Sequence, residues 1–219
     1  MTLELDNVEL YFNRKCILNG VYLKAQTGQV TGILGRNGCG KSCILNIIFG
    51  SLLPKYKLIR LNNKPITKPL YQTNMVRYLP QFSATPNNLK LQRAFHFFKI
   101  SWLEFITHFP TFEKYKQVSF RHLSGGERRI IELYLILMSR CKVVLLDEPF
   151  SHIAPVYVAR IKQLINQEKA HKIIIITDHL FRDIIDISDR LYLIKNGHTK
   201  LVSNLEELEN QNYITSNML

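Results

Sequence analysis

Apolar and polar positions alternate over residues 2–10 and again over 17–25, on either side of the polar connector Asn13-Arg14-Lys15. A period of two on both sides of a short break predicts a β-hairpin or paired strands opening the chain. Beyond the turn Thr27-Gly28-Gln29 the pattern becomes an unbroken apolar strand over 30–34, then a helix from Lys41 to about Phe49, ended by Gly50 and Pro54. Strands are predicted at 57–61, closed by Asn62-Asn63, and at 75–79, ending at Pro80.

Residues 87–120 change character: Phe95, Phe97, Phe98, Trp102, Phe105, Phe109 and Phe112 recur at helical spacing, with a break at Pro110. This predicts a small helical insert whose rings either form core or face a partner, two readings that periodicity does not separate. Ser124 and Glu127 make an S-x-x-E helix start ahead of the apolar run 130–138. Continuous Val/Ile/Leu strands at 142–146 and 173–177, separated by a helix at 156–167, imply a parallel sheet covered on both faces. A hairpin over 190–202 turns at Asn196-Gly197, and Ser203 with Glu206 begins a short terminal helix.

The chain has 219 residues, 46% of them apolar and 21% charged, which suits one globular α/β domain with a substantial core. No apolar run approaches the roughly 18 residues a membrane-spanning helix needs. The opening residues carry Glu4 and Asp6 where a secretory signal would carry positive charge, which predicts a cytoplasmic protein. Cys16, Cys39, Cys43 and Cys141 show neither CxxC nor Cys/His ligand spacing, so no disulfide framework or zinc site is indicated. The formal charge of +12 admits attraction to nucleic acid or anionic lipid, but no block of like charges forms a binding tract.

Directly behind the strand at 30–34 stands Gly35-Arg36-Asn37-Gly38-Cys39-Gly40-Lys41-Ser42, followed by Cys43 and the helix, a match to GxxxxGK[ST] at every fixed position. Glycines let such a loop turn its amides onto phosphate oxygens, and the helix start adds its positive dipole end. Lys41 is expected to reach the β and γ phosphates and Ser42 to ligate Mg²⁺. Downstream, the strand at 142–146 ends in Asp147-Glu148, a Walker B pattern in which Asp147 would help hold the magnesium and Glu148 would face the attacking water. Nothing resembles a guanine-reading NKxD, which argues against a GTPase.

Leu123-Ser124-Gly125-Gly126-Glu127 resembles the LSGGQ signature of the ATP-binding cassette (ABC) ATPases, with Glu in the last place. The resemblance covers the whole chain in the family's motif order. It implies a P-loop NTPase of the ABC type: an α/β fold with a mainly parallel core sheet, an N-terminal antiparallel β portion and a small helical insert. The implied organisation is a single nucleotide-binding domain over 1–219, in which a helical subdomain of about 87–140 carries the signature. Phe12, or the adjacent Tyr11, falls where the family stacks an aromatic ring on adenine, although either could be a strand core residue. Gln81 matches the Q-loop glutamine that touches the magnesium site, and His179 matches the switch histidine that contacts the γ-phosphate.

By the same resemblance, Ser124, Gly125 and Gly126 act across the interface of a head-to-tail dimer, a homodimer or a heterodimer with a second ABC subunit, closed around ATP and Mg²⁺. Hydrolysis would drive a separate membrane permease from the cytoplasmic face, the insert next to Gln81 gripping it. A soluble ABC protein acting on nucleic acid or ribosomes is the main rival, and a weakly hydrolysing regulatory module another. One departure supports the last: the family's SALD-like loop is here Ser151-His152-Ile153-Ala154, with alanine for aspartate. Arg36, where proline is common, is a milder deviation.

Overall fold

The computed structural model describes residues 1–83, 85–204 and 206–210. In chain order the first elements are β1 (Thr2–Phe12), β2 (Lys15–Gln26), β3 (Val30–Gly35), α1 (Lys41–Phe49), β4 (Tyr56–Leu61), β5 (Lys64–Pro65) and β6 (Val76–Leu79). The insert contributes α2 (Leu91–Phe98) and α3 (Trp102–His108), and the signature opens α4 (Gly125–Met138). The remainder is β7 (Val143–Asp147), α5 (Pro155–Glu168), β8 (Ile173–Thr177), α6 (Phe181–Ile187), β9 (Arg190–Lys195), β10 (His198–Val202) and α7 (Glu206–Asn210).

Strand pattern sorts these elements into two sheets. The alternating segments make a four-stranded antiparallel sheet in the order β2-β1-β4-β5, where one face is buried and the other is wet. The continuous apolar runs make a six-stranded sheet in the order β10-β9-β3-β8-β7-β6, parallel except for its β10 edge. Successive residues of its strands serve opposite cores, which is why these strands read as unbroken apolar runs. Val143, Leu145, Ile173 and Ile175 pack with α1 and the antiparallel sheet. Val144, Leu146, Ile174 and Ile176 pack on the other side with α4, α5, α6 and the insert. The expected α/β architecture, with its antiparallel portion and helical insert, is the one observed.

The aromatic insert is core, with one exception. Phe105 is fully buried, its ring 5.0 Å from that of Phe95 and 4.9 Å from that of Tyr134 on α4. Phe109 and Phe112 extend the cluster to Tyr157 on α5, so the insert is welded to the main body by rings. Phe97 is 80% exposed and belongs to the outward reading.

One local expectation needs correction. The terminal helix is capped one residue later than Ser203 and Glu206 suggest: Asn204 Oδ1 accepts from the Glu207 amide at 3.0 Å, and the Glu207 carboxylate accepts from the Ser203 amide. Helix α6, which the sequence pattern does not predict, has no side-chain cap to mark its start. Residues 211–219 of the expected domain lie outside the described residues. Among the described residues no helix is long and apolar enough to cross a membrane.

Candidate nucleotide site

Strand β3 delivers its carboxyl end to the glycine-rich loop, and α1 starts at Lys41. Gly40 caps that helix at φ 106°, and a Cβ there would lie 2.7 Å from Leu18 Cδ2, so backbone conformation and space both require glycine. The Lys41 ammonium, nearly buried, donates to the Gly35 carbonyl at 2.8 Å and to the Arg36 carbonyl at 3.3 Å. The loop thereby holds its cation over its own concavity, beside the positive end of α1.

Beneath the loop, Asp147 ends β7 almost fully buried, with both carboxylate oxygens engaged. Ser42 Oγ donates to Oδ1 at 3.1 Å and the Tyr78 hydroxyl donates to Oδ2 at 3.0 Å. Asn46 Nδ2 in turn donates to the Tyr78 oxygen at 3.2 Å and to the Ser42 carbonyl at 2.8 Å. Burial pushes the Asp147 carboxyl above its usual range, and the two hydroxyl donors oppose that shift. A serine hydroxyl and a carboxylate in contact beside a phosphate loop form an all-oxygen donor set that suits Mg²⁺, an ion that takes its remaining ligands from water and phosphates. Among the described residues no three acidic, His or Cys side chains gather into a metal site of their own.

Glu148 follows in the left-handed region at φ 49°, a conformation costing a non-glycine residue about 1–2 kcal/mol. Its amide donates to the Thr177 carbonyl at 2.7 Å, and its carboxylate accepts from Ser151 Oγ at 3.3 Å. His179 Nδ1 lies 3.4 Å from Glu148 Oε2 and 3.1 Å from Asp178 Oδ1. Asp178 is fully buried and accepts from the Phe150 and Leu180 amides at 3.1 and 3.0 Å, which buckles the loop after β7 to the loop after β8.

A cleft of about 450 Å³ is lined by Phe12, Ile17, Asn37, Gly38, Gly40, Lys41, Ser42, Cys43, Gln81 and Glu148. Most of the residues expected to act in one protomer thus meet in one concavity. Asp147 lies under its floor, and His179 joins through Glu148. Of the two candidate aromatics, Phe12 is half-exposed and lines the cleft, while the Tyr11 ring lies under the Lys55 ammonium, 5.4 Å from it. Cys39 and Cys43 are free thiols, both pushed above the usual thiol range by burial. A larger cavity of about 1010 Å³ beside α2 and α3 is lined by residues such as Lys90, Phe97 and Trp102 and holds none of these groups.

Ser124, Gly125 and Gly126 do not line the cleft. They form the start of α4, where Ser124 Oγ accepts from the Glu127 amide at 3.3 Å and the Glu127 carboxylate accepts from the Ser124 amide at 2.8 Å. The expected S-x-x-E start is thus a closed capping box. The Ser124 amide is already taken, so only the Gly125 and Gly126 amides remain at that helix end. A Cβ on Gly125 would meet nothing within 4 Å, whereas one on Gly126 would collide with the His152 carbonyl. The signature turn therefore leans on the altered Ser151–Ala154 loop.

Sequence reasoning missed Tyr78, Asp178 and Arg129. The last is buried, its Nη1 donating to the Pro80 carbonyl at 2.6 Å and its Nη2 to the carbonyls of Asp147 and Glu148. Its one signal was a charge at the head of an apolar helical run.

The family profile described as ABC transporter matches residues 18–151, a span that runs from β2 through the phosphate loop and signature into the loop after β7. The chain belongs to the ABC transporter family. It is an ATP-binding subunit, similar to the lipopolysaccharide export system ATP-binding protein LptB of Acidithiobacillus ferridurans (29% identity over 211 residues, 90% of this chain and 88% of that one). It is also similar to a probable ABC transporter ATP-binding protein of Azorhizobium caulinodans, at 31% identity over 207 residues, covering 85% and 71% of the two chains. Among solved structures, a nucleotide-free ATP-binding cassette from an ABC transporter superposes with a TM-score of 0.78 at 25% identity, covering 96% of this ABC subunit and 94% of that chain.

Proposed function

We propose that this subunit hydrolyses ATP with Mg²⁺, dimerises head to tail around the nucleotide, and drives a membrane permease from its cytoplasmic face. The observation that carries this reading is the single cleft joining Phe12, the phosphate loop, Gln81 and Glu148. Phe12 stacks on adenine; the loop amides and Lys41 hold the triphosphate; Ser42, Asp147 and Gln81 are the groups for the metal. Bound there, Mg²⁺ supplies neutralisation of phosphate charge. Glu148 accepts a proton from the attacking water, and His179, within 3.4 Å of that carboxylate, fixes its direction. Ser124, Gly125 and Gly126 serve the nucleotide of the partner protomer, with the 87–140 helical part as their carrier.

The relatives named as transporter subunits support coupling to a permease over action on nucleic acid. So does the mostly apolar groove lined by Leu79, Pro86, Leu89, Ala94, Phe97 and Phe98, which adjoins the Gln81 loop and offers apolar surface to a partner's side chains. The test has two parts. Purified wild-type protein should release phosphate from ATP, Lys41→Ala should lose nucleotide binding, and Glu148→Gln should bind ATP and elute as a dimer with turnover reduced to a small residual rate. Affinity purification from native membranes should recover a polytopic protein. Recovery of soluble nucleic-acid complexes in its place would refute the transport role, and normal turnover by Glu148→Gln would refute the assigned base.

A further inference from the structure

We infer that Arg129 is a positioning residue that ties the signature helix to the base Glu148 and to the Gln81 loop of the same protomer, an inference that rests on the ATPase reading above. The guanidinium is a planar, permanently charged fork. Here it sits buried and spans three main-chain carbonyls: Pro80, one residue before Gln81; Asp147, the end of β7; and Glu148 itself, at 3.0 Å. Its hydrogen bonds among the described residues go to the backbone of the two loops that carry the chemistry.

Glu148 needs such a clamp because its backbone is in the left-handed region. Its amide is held by the Thr177 carbonyl at 2.7 Å and its carbonyl by Arg129, so both flanking peptides are pinned. Removing the fork frees one side, and the carboxylate swings with the peptide. The preceding residue repeats the device farther along the Gln81 loop. Arg128 donates to Asn87 Oδ1 at 2.6 Å, to the Thr85 carbonyl, and to Glu132 at 3.3 Å, which accepts from Ser83. Two consecutive arginines of α4 therefore fasten both ends of that loop. The turn Ser124-Gly125-Gly126, which faces the partner's nucleotide, lies one helical turn away on the same rigid element. Movement of the signature on closing is thus delivered to the base and glutamine of its own site.

The test is Arg129→Lys, which keeps the charge but cannot span the three carbonyls, with Arg129→Gln as a second variant, each alone and in the Glu148→Gln background. With Glu148 present, kcat should fall between about 10- and 100-fold, the scale of a catalytic group displaced by up to an ångström, while KM for ATP stays within about threefold. With Glu148→Gln the residual rate should change by less than about twofold, because residues acting as one unit are not additive, and the ATP-trapped dimer should still form. A near-normal kcat, an equal fold-loss repeated in the Glu148→Gln background, loss of the trapped dimer, or unfolding of both variants would overturn the proposal. An inactive wild-type protein would instead sink the ATPase reading and this proposal with it.

Discussion

Ala154→Asp should stabilise the protein by roughly 1 kcal/mol. Ala154 is the N-cap of α5, at φ −64° and ψ 140°, with Pro155 at the first helical position, no side-chain cap and no acidic residue in the first turn. That backbone is already the extended one a capping residue adopts, so aspartate requires no rearrangement. Pro155 has no N–H, and Tyr157 and Val158 share the Ala154 carbonyl, at 2.9 and 3.4 Å, with no side-chain acceptor at the cap. An aspartate oxygen would accept from the second or third amide, and its charge would face the positive end of the helix. Cap replacements of this kind are worth about 0.5–2 kcal/mol, and the dipole contribution lies toward its lower limit of about 0.3 kcal/mol because the position is exposed and screened.

For a chain of this length 1 kcal/mol moves Tm by about 2–4 °C. Calorimetry and urea unfolding should both report the gain, the latter as a higher midpoint at unchanged slope. A Tm equal to or below that of the wild type would show that the helix start is satisfied in some other way, and the argument from the missing cap would fail. The same variant separates stability from turnover. The family resemblance puts an aspartate here to link the two sites, so Ala154→Asp should also raise the ATPase rate at saturating nucleotide, and a stabilised protein with unchanged rate would remove the loop from any account of weak hydrolysis.

Two further outcomes are expected. Phe105→Ala deletes a fully buried ring that meets Phe95, Trp102 and Tyr134, and should cost about 3–5 kcal/mol by urea unfolding; a loss under about 1 kcal/mol would mean the insert is not part of the core. For Glu127, burial raises the carboxyl but the Ser124 amide and hydroxyl outweigh it and hold it below its usual 4.5. Its contribution to stability is therefore complete above pH 4.5 and fades as pH falls through the lowered value. Glu127→Gln keeps a neutral acceptor for the Ser124 amide at every pH, so the stability gap between the two proteins should narrow on acidification, and a gap constant with pH would contradict the closed box.

Legibility in the sequence followed from whether a contact is local and made by side chains. The phosphate loop could be read because its geometry demands glycines, a lysine and a hydroxyl within eight consecutive positions, and the parallel sheet because strands serving two cores must be apolar at every step. The capping box of Ser124 and Glu127 was legible for the same reason, yet its consequence was not: whether the Ser124 amide faces a ligand or a carboxylate depends on which acceptor reaches it. Asn204 displaced Ser203 as a cap because both residue types suit the position and a one-residue slip leaves the pattern intact. Arg129 was the hardest case. Its partners are carbonyls, which every residue possesses, supplied by Pro80, Asp147 and Glu148 from distant parts of the chain. No choice of side chain at those positions records the contact. A residue that positions catalytic groups through the main chain is therefore invisible to motif reading, and it appears only when a buried charge is traced to what it holds.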